Sequence, residues 1–261
     1  MPVVRRSGSA GARQSISPGS QGVTRVSVCM TTYNCVLHVG EQLDSILSQI
    51  GPADEIVICD DGSADGTYEL LAKYSDARIR LYRNLERLGH VQNFAKAIAL
   101  ASGEFIALSD HDDVWVAKRL ERMLSELRRF PGHVLIVGDF LDVDDDNNVL
   151  PRPGLGASPS NMLLQLIKIF LGKAKYFGCT FMFRKELKKL CIPIPRKIEA
   201  HDVWISMNAC LHGGIVHFQE NTLLHRTHGR NLTPRSRRGI YMIARSRFLY
   251  FLHLFVLTRR A

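Results

Sequence analysis

The chain has 261 residues, 46% apolar and 23% charged, which excludes a disordered segment, a collagen-like repeat and a disulfide-stapled mini-protein. Its net charge of +9 sits at the ends: residues 1–24 hold three Arg and no acid, residues 235–261 hold seven Arg and no acid, and residues 25–234 are left at −1. A protein gripping a duplex needs a basic stripe on its folded body, so this distribution argues against nucleic acid as a partner.

Residues 1–24, with five Ser and four Gly, read as a flexible lead-in that lacks the apolar stretch of a signal peptide. From Val26 onward, short β-rich runs alternate with segments of helical period. Strands are expected at Val26–Met30, Ile56–Cys59, Ile79–Tyr82, Phe105–Leu108 and Val134–Phe140. Between them, Val39, Leu43, Ile46, Leu47 and Ile50 fall on one helical face, as do Val91, Phe94, Ala95, Ile98 and Ala99. Leu120, Met123, Leu124, Leu127 and Phe130 form a third such face, which Pro131 ends. This alternation predicts βαβ units in an α/β fold, with a mostly parallel sheet flanked by helices and ligands bound beyond the carboxyl ends of its strands.

The second half is less regular. Asn161–Leu171 and His201–His212 read as helices, and Cys179–Phe183, Ile215–Phe218 and Thr222–His225 as strands. The six cysteines are scattered through apolar runs with no CxxC spacing, which predicts buried thiols of a reducing cytoplasm rather than a zinc site. The longest apolar run, Phe248–Leu257 with His253 inside it, falls short of the roughly 18–20 residues of a bilayer span.

Three polar clusters follow predicted strands: Thr31–Asn34, Asp60–Ser63 and Ser109–Asp113. Each alone reads as a turn or a helix cap. Together they place acidic groups at one edge of one sheet. There is no GxGxxG after the first strand, no GxxxxGK[ST] loop and no GxSxG elbow, which argues against a nicotinamide dinucleotide, a P-loop NTPase and an α/β-hydrolase. Asp142–Asp146 fails as a calcium loop because Asn147 and Pro153 stand where Gly and Glu are required, and it reads as a solvated hairpin turn. Asp110, Asp112 and Asp113, by contrast, can hold Mg²⁺ or Mn²⁺ with positions left open for substrate phosphates.

These segments resemble family 2 glycosyltransferases of the GT-A (Rossmann-like) fold over about residues 25–231. The likeness rests on Val26–Asn34, Ile58–Thr67, Asn84 with Leu88-Gly89 and Asn93, and Ala101–Trp115 ending in Ser109-Asp-His-Asp-Asp-Val-Trp115. That last form is similar to a bacterial rhamnosyltransferase-like branch. Gly178–Arg184, His201–Trp204 and Leu224–Asn231 resemble the acceptor-side and closing segments, with His225 where the branch often has Tyr.

The resemblance implies an inverting transfer of a sugar from a nucleotide diphosphate-sugar to a glycan or lipid-linked acceptor. It implies that Thr31, Tyr33 and Asp61 contact the nucleoside and that Asp110 and Asp112 form the metal-binding pair, with Asp112 the direct ligand. Asp202 falls at the position of the catalytic base, and His228 is placed to reach the diphosphate or metal. The plainer readings are a helix-terminal carboxylate for Asp202, a core side chain for Trp204 and a surface histidine for His228. A nucleotidyltransferase and a catalytically silent nucleotide-sugar-binding module stand as alternatives.

The expected organisation is the lead-in 1–24, one GT-A domain over 25–234 (a nucleotide half 25–115 and an acceptor half 116–234) and a basic amphipathic arm over 235–261. The arm has two open readings, packing on the body and peripheral contact with anionic lipid at the inner face of the plasma membrane.

Overall fold

Strands buried on both faces must be apolar almost throughout, and the first strands meet that requirement. A computed structural model describes residues 25–144, 146–227, 245–250 and 252–253. In it β1 (Val26–Thr32), β2 (Glu55–Asp60) and β4 (Phe105–Ser109) are buried at every position, and β3 (Ile79–Arg83) lies outside them. They pair in parallel in the order β3-β2-β1-β4, with Thr31 beside Cys59 and Met30 beside Ser109. That register brings the three polar clusters to the same carboxyl edge.

Alternation along each strand divides the core. Val28, Met30, Ile56 and Ile58 face α1 (Val39–Leu47) and α4 (Arg119–Arg129). Cys29, Val57, Cys59 and Leu108 face α3 (His90–Leu100) and α7 (His201–His212). All six cysteines are free and buried.

Beyond β4 the sheet becomes mixed. β8 (Phe181–Arg184) pairs antiparallel with both β4 and β6 (Leu135–Val143), β9 (Ile215–Arg226) runs parallel to β6, and β5 (Val114–Trp115) closes the edge. β7 (Val149–Leu150) forms the expected hairpin with β6, and Asp144 caps its turn by accepting from the amides of Asp146 and Asn148.

Several expectations are corrected. Gly178–Thr180 is a 3₁₀ turn, so the strand expected from Cys179 begins at Phe181. The two strands expected over 215–225 are one long strand whose pairing to β6 slips between Gly138 and Leu141, a bulge that resets the alternation. Helices α2 (Thr67–Leu71) and α6 (Lys185–Cys191) are too short for a periodic signal, and α5 (Met162–Phe170) lies between β7 and β8. Residues 1–24 and most of 235–261 lie outside the described residues.

The opposite, amino edge of the sheet is pinned by one buried carboxylate. Glu55 accepts from Ser27 Oγ (2.6 Å), Ser102 N (2.8 Å), Ser102 Oγ (2.5 Å) and Arg80 Nη1 (2.7 Å), tying β1, β2, β3 and the loop before β4. Burial alone would raise its pKa, but the hydrogen bonds from Ser102, Ser27 and Arg80 outweigh it and hold the group at about 2. The folded value lies below the ordinary 4.5, so ionised Glu55 stabilises the fold above that pH and the contribution fades as pH falls toward 2. Glu55→Gln is therefore expected to cost about 1–3 kcal/mol in urea unfolding at neutral pH. The gap should narrow on acidification; a gap independent of pH would contradict the clamp.

Candidate active site

The loops after β1 and β2 are laced together by their own polar side chains. Asn34 N donates to Ser63 Oγ (3.0 Å), Ala64 N to Asn34 Oδ1 (2.9 Å) and Val36 N to Asp65 Oδ2 (3.0 Å). Asp60 accepts from Thr32 Oγ1, Ser63 N and Ser63 Oγ, which folds Asp60–Ser63 into a tight turn.

Asp61 is buried, and its carboxylate accepts from Asn84 Nδ2 (2.8 Å), Leu88 N (2.7 Å) and Gly89 N (2.9 Å). Asn84 in turn donates to Asn93 Oδ1, and Asn93 donates to the Cys59 carbonyl. The spaced Asn84, Leu88-Gly89 and Asn93 of the sequence are thus the seat of Asp61. Thr31 is buried at the end of β1, where its carbonyl accepts from His111 Nδ1 (3.1 Å). Tyr33 lies just beyond, with the guanidinium of exposed Arg87 3.9 Å above its ring.

The loop after β4 carries the strongest electrostatic tension. Ligand atoms of Asp110, Asp113 and Cys179 lie within 4.8 Å of one another. Asp113 is 1% exposed, and neither of its carboxylate oxygens has a hydrogen-bond partner. Burial, then the charge of Asp110, pushes its pKa up to about 8. Asp110 keeps some solvent contact, yet desolvation and the neighbouring Asp112 raise it as well, with His111 and His225 opposing. Burial, Asp113 and Asp110 lift the Cys179 thiol well above its usual range.

Two basic side chains stand by this cluster. Buried Arg119 donates from Nη2 to the Cys179 carbonyl (2.5 Å) and lies over the Trp115 ring (4.2 Å). His225 pairs through Nδ1 with Asp142 (2.7 Å), and although burial lowers its pKa, Asp113, Asp142 and Asp110 together raise it. The position that departs from the branch pattern is thus an imidazole whose protonated form the nearby carboxylates favour.

The 3₁₀ turn joins this cluster to the start of α7. A Cβ on Gly178 would meet His201 Nε2 at 2.3 Å, so only glycine admits the ring that precedes Asp202. His201 is buried and stacked on Phe94 (4.2 Å), and burial drops its pKa to about 3. Asp202 lies in the first turn of α7, where its Oδ1 accepts from Val203 N (2.6 Å). Trp204 is a core side chain, buried and donating from Nε1 to the Cys191 carbonyl (2.9 Å). His228 lies outside the described residues.

Of the residues expected at the site, Thr31, Tyr33, Asp61, Asp110 and Asp112 therefore share one edge, while Asp202 lies in the first turn of α7, next in sequence to the His201 that packs on Gly178. Asp110 gathers with Asp113 and Cys179 within the distance given above, a set that excludes Asp112. Cys179, His225 and Arg119 had no spacing signal of their own. The donor set suits a divalent cation: crowded carboxylates, one with unsatisfied oxygens, have their charge cost relieved by a bound positive ion.

The family model for glycosyl transferase family 2 matches residues 27–191. The chain belongs to that family. The UDP-Glc:alpha-D-GlcNAc-diphosphoundecaprenol beta-1,3-glucosyltransferase WfgD of Escherichia coli is 37% identical over 100 residues, covering 38% of this chain and 40% of that protein. The glycosyltransferase alr2836 of Nostoc sp. is 28% identical over 220 residues, covering 79% and 66%. Aligned segments span 51%, 40% and 39% of the length of three curated relatives, about half or less. Among solved structures, Staphylococcus aureus TarS 1–349 in complex with UDP-GlcNAc superposes with a TM-score of 0.70 at 21% identity, covering 88% of this chain and 67% of that one. That likeness establishes the GT-A fold.

The carboxylate cluster yields a prediction with a definite sign. Asp113 titrates near 8 in the fold against an ordinary 3.8, so its contribution to stability is full at low pH and declines as pH rises through 8. A cation that favours the ionised form should offset this loss. Saturating Mn²⁺ is expected to raise the melting midpoint by about 2–4 °C more at about pH 8 than at about pH 6. Asp113→Asn should abolish that difference; equal Mn²⁺ shifts at both pH values in the parent protein would contradict it.

Proposed function

We propose that this family 2 glycosyltransferase moves a hexosyl or deoxyhexosyl unit from a nucleotide diphosphate-sugar to an acceptor hydroxyl with inversion, in the assembly of cell-surface polysaccharide or glycolipid. The observation that carries this reading is the gathering of three polar loops, one of them a crowded carboxylate loop, at the carboxyl edge of one sheet. UDP is supported as the nucleotide by the UDP-GlcNAc complex of TarS, and a diphospholipid-linked acceptor by the name of WfgD. The form Ser109–Trp115 supports the rhamnosyltransferase-like branch. The working unit is 25–234, with 1–24 and 235–261 as appendages, in the cytoplasm at the inner face of the plasma membrane.

In this reading Thr31 and Tyr33 line the nucleoside slot, and Asp61 accepts from a base imide N–H. The three donors that already hold Asp61 fix its carboxylate before ligand arrives, so little orientational freedom is lost on binding. Asp112 and Asp110 hold Mg²⁺ or Mn²⁺, with Asp113 as a supporting carboxylate and His228 reaching toward the diphosphate. Bound there, the ion stabilises the negative charge that develops on the leaving nucleotide. Asp202 takes the proton from the acceptor hydroxyl as that oxygen attacks the anomeric carbon from the face opposite the nucleotide. One displacement of this kind inverts the anomeric centre. Arg119 and His225 restrain the carboxylate loop between turnovers.

Two substitutions separate the roles. Asp112→Ala should abolish Mn²⁺-dependent UDP binding in calorimetry while the circular dichroism spectrum is retained; undiminished UDP affinity would remove Asp112 from the site. Asp202→Asn should lower turnover by about 10²–10⁴ with donor affinity nearly unchanged, because its contact matters chiefly in the transition state. Near-normal turnover in that variant, or a product of retained configuration by NMR, would sink the mechanism.

A further inference from the structure

Helix α5 has the wrong pattern for an ordinary surface helix. Seven of its nine residues are apolar, and the two polar ones are Gln165 and Lys168. Gln165 points inward, 6% exposed and donating to Tyr176 Oη, while Leu163 and Leu171, which follows the helix, stand 67% and 55% exposed. Leu164 and Ile167 share that outward side. The inward side is already satisfied: Met162, Leu166, Ile169 and Phe170 pack into the core beside α7. A helix that is apolar on both sides needs a second apolar medium.

A second element extends the patch. Residues 245–250 are helical and anchored by Tyr250, which is buried and bonds through Oη to the backbone of Ala200, immediately before α7. Arg247 from this segment lies over Phe170 and beside Gly172, at the end of α5. The same segment leaves Phe248 61% exposed and Leu252 exposed as well. Six of the eleven large apolar side chains exposed among the described residues thus belong to α5 with Leu171 and to this neighbouring turn.

The charge beside α5 is basic. From Asn147 to Lys185 the sequence contains no Asp or Glu, while Lys168, Lys173 and Lys175 border α5 and Arg247 lies at its end; Glu199 and Asp202 stand on the Tyr250 side of the neighbouring segment. A second copy of the chain on the same patch would oppose these cations to one another. An anionic bilayer answers both features, taking the leucines into the headgroup layer and the lysines against its phosphates.

We propose that α5, with Leu163, Leu164, Ile167 and Leu171 outward, docks the enzyme on an anionic lipid surface, and that Phe248 and Leu252 continue that surface. The idea deepens the lipid-linked acceptor reading and rests on it for its purpose: α5 packs on α7, which carries Asp202 in its first turn, so docking holds the proposed acceptor side against the membrane. No helix among the described residues is long and apolar enough to cross a membrane, and this contact needs none.

The test is flotation of the full chain with phosphatidylcholine vesicles and with vesicles containing roughly 30% phosphatidylglycerol, at low and high salt. The parent protein should float with the anionic vesicles and lose binding in high salt. The Leu163→Ser/Ile167→Ser/Leu171→Ser variant should bind at least about tenfold more weakly. Lys168→Gln/Lys173→Gln/Lys175→Gln should weaken binding and flatten its salt dependence. Val149→Ser, an exposed apolar position on β7, should leave it unchanged. UDP calorimetry on every variant reports folding and the donor site independently of lipid, so failure of the functional reading would appear there and not in flotation. Three results would overturn the proposal: no flotation of the parent protein, equal flotation with neutral vesicles, or parent-like flotation of the serine variant. So would a dimer in light scattering that the serine variant dissolves, since the face would then belong to a second copy.

Discussion

Three aspartates within four residues, held at the edge of a buried strand, set the terms for the rest of this molecule. Like charges this close in a poorly solvated place cannot all ionise at ordinary cost, and both Asp110 and Asp113 hold their protons more tightly as a result. The fold tolerates the arrangement by surrounding it. Gln42 of α1 donates to Ser109 just before the loop, Arg119 grips the Cys179 carbonyl behind it, and His225 of β9 stands at the side, its protonated form favoured by the carboxylates. Each comes from a different element, so the mixed second half of the sheet serves to bring these groups to the end of β4.

The sheet separates stability from chemistry along its strands. At the amino edge Glu55 has every demand met by Ser27, Ser102 and Arg80 and is fully ionised at neutral pH. At the carboxyl edge Asp113 has none of its oxygens met. A carboxylate with partners stabilises the folded chain; one without partners is a standing cost that a bound cation relieves. The contrast between two acids on one sheet locates the functional edge more firmly than depth of burial, since both are buried.

The sequence discloses the first half of the fold almost completely because its signals are local. Strand and helix periods there are long and regular, whereas Asn84, Leu88-Gly89 and Asn93, legible only through the family resemblance, are tied to Asp61 by the fold. The second half is harder for physical reasons. Cys179 meets Asp110 and Asp113 only after β8 has been inserted beside β4, a contact no spacing announces. His225 reaches the same cluster because a bulge resets β9 against β6, and alternation alone reads that bulge as a break between two strands. Helix α5 is legible as a helix, but not which of its apolar side chains face outward, as Leu163, Leu164 and Ile167 do. Trp204, open to two readings in the sequence, is settled by its bond to the Cys191 carbonyl as a core residue.

The central claim is that the carboxylate loop after β4 is a divalent-cation site that receives a nucleotide diphosphate. Crystals of the full chain grown with Mn²⁺ and UDP, measured at the manganese absorption edge, test it directly. The account predicts one strong anomalous peak among Asp110, Asp112 and Asp113, bridged to the UDP diphosphate, with the uracil beside Asp61. UDP bound at that edge with no peak among those carboxylates, or manganese bound elsewhere on the molecule, would contradict it.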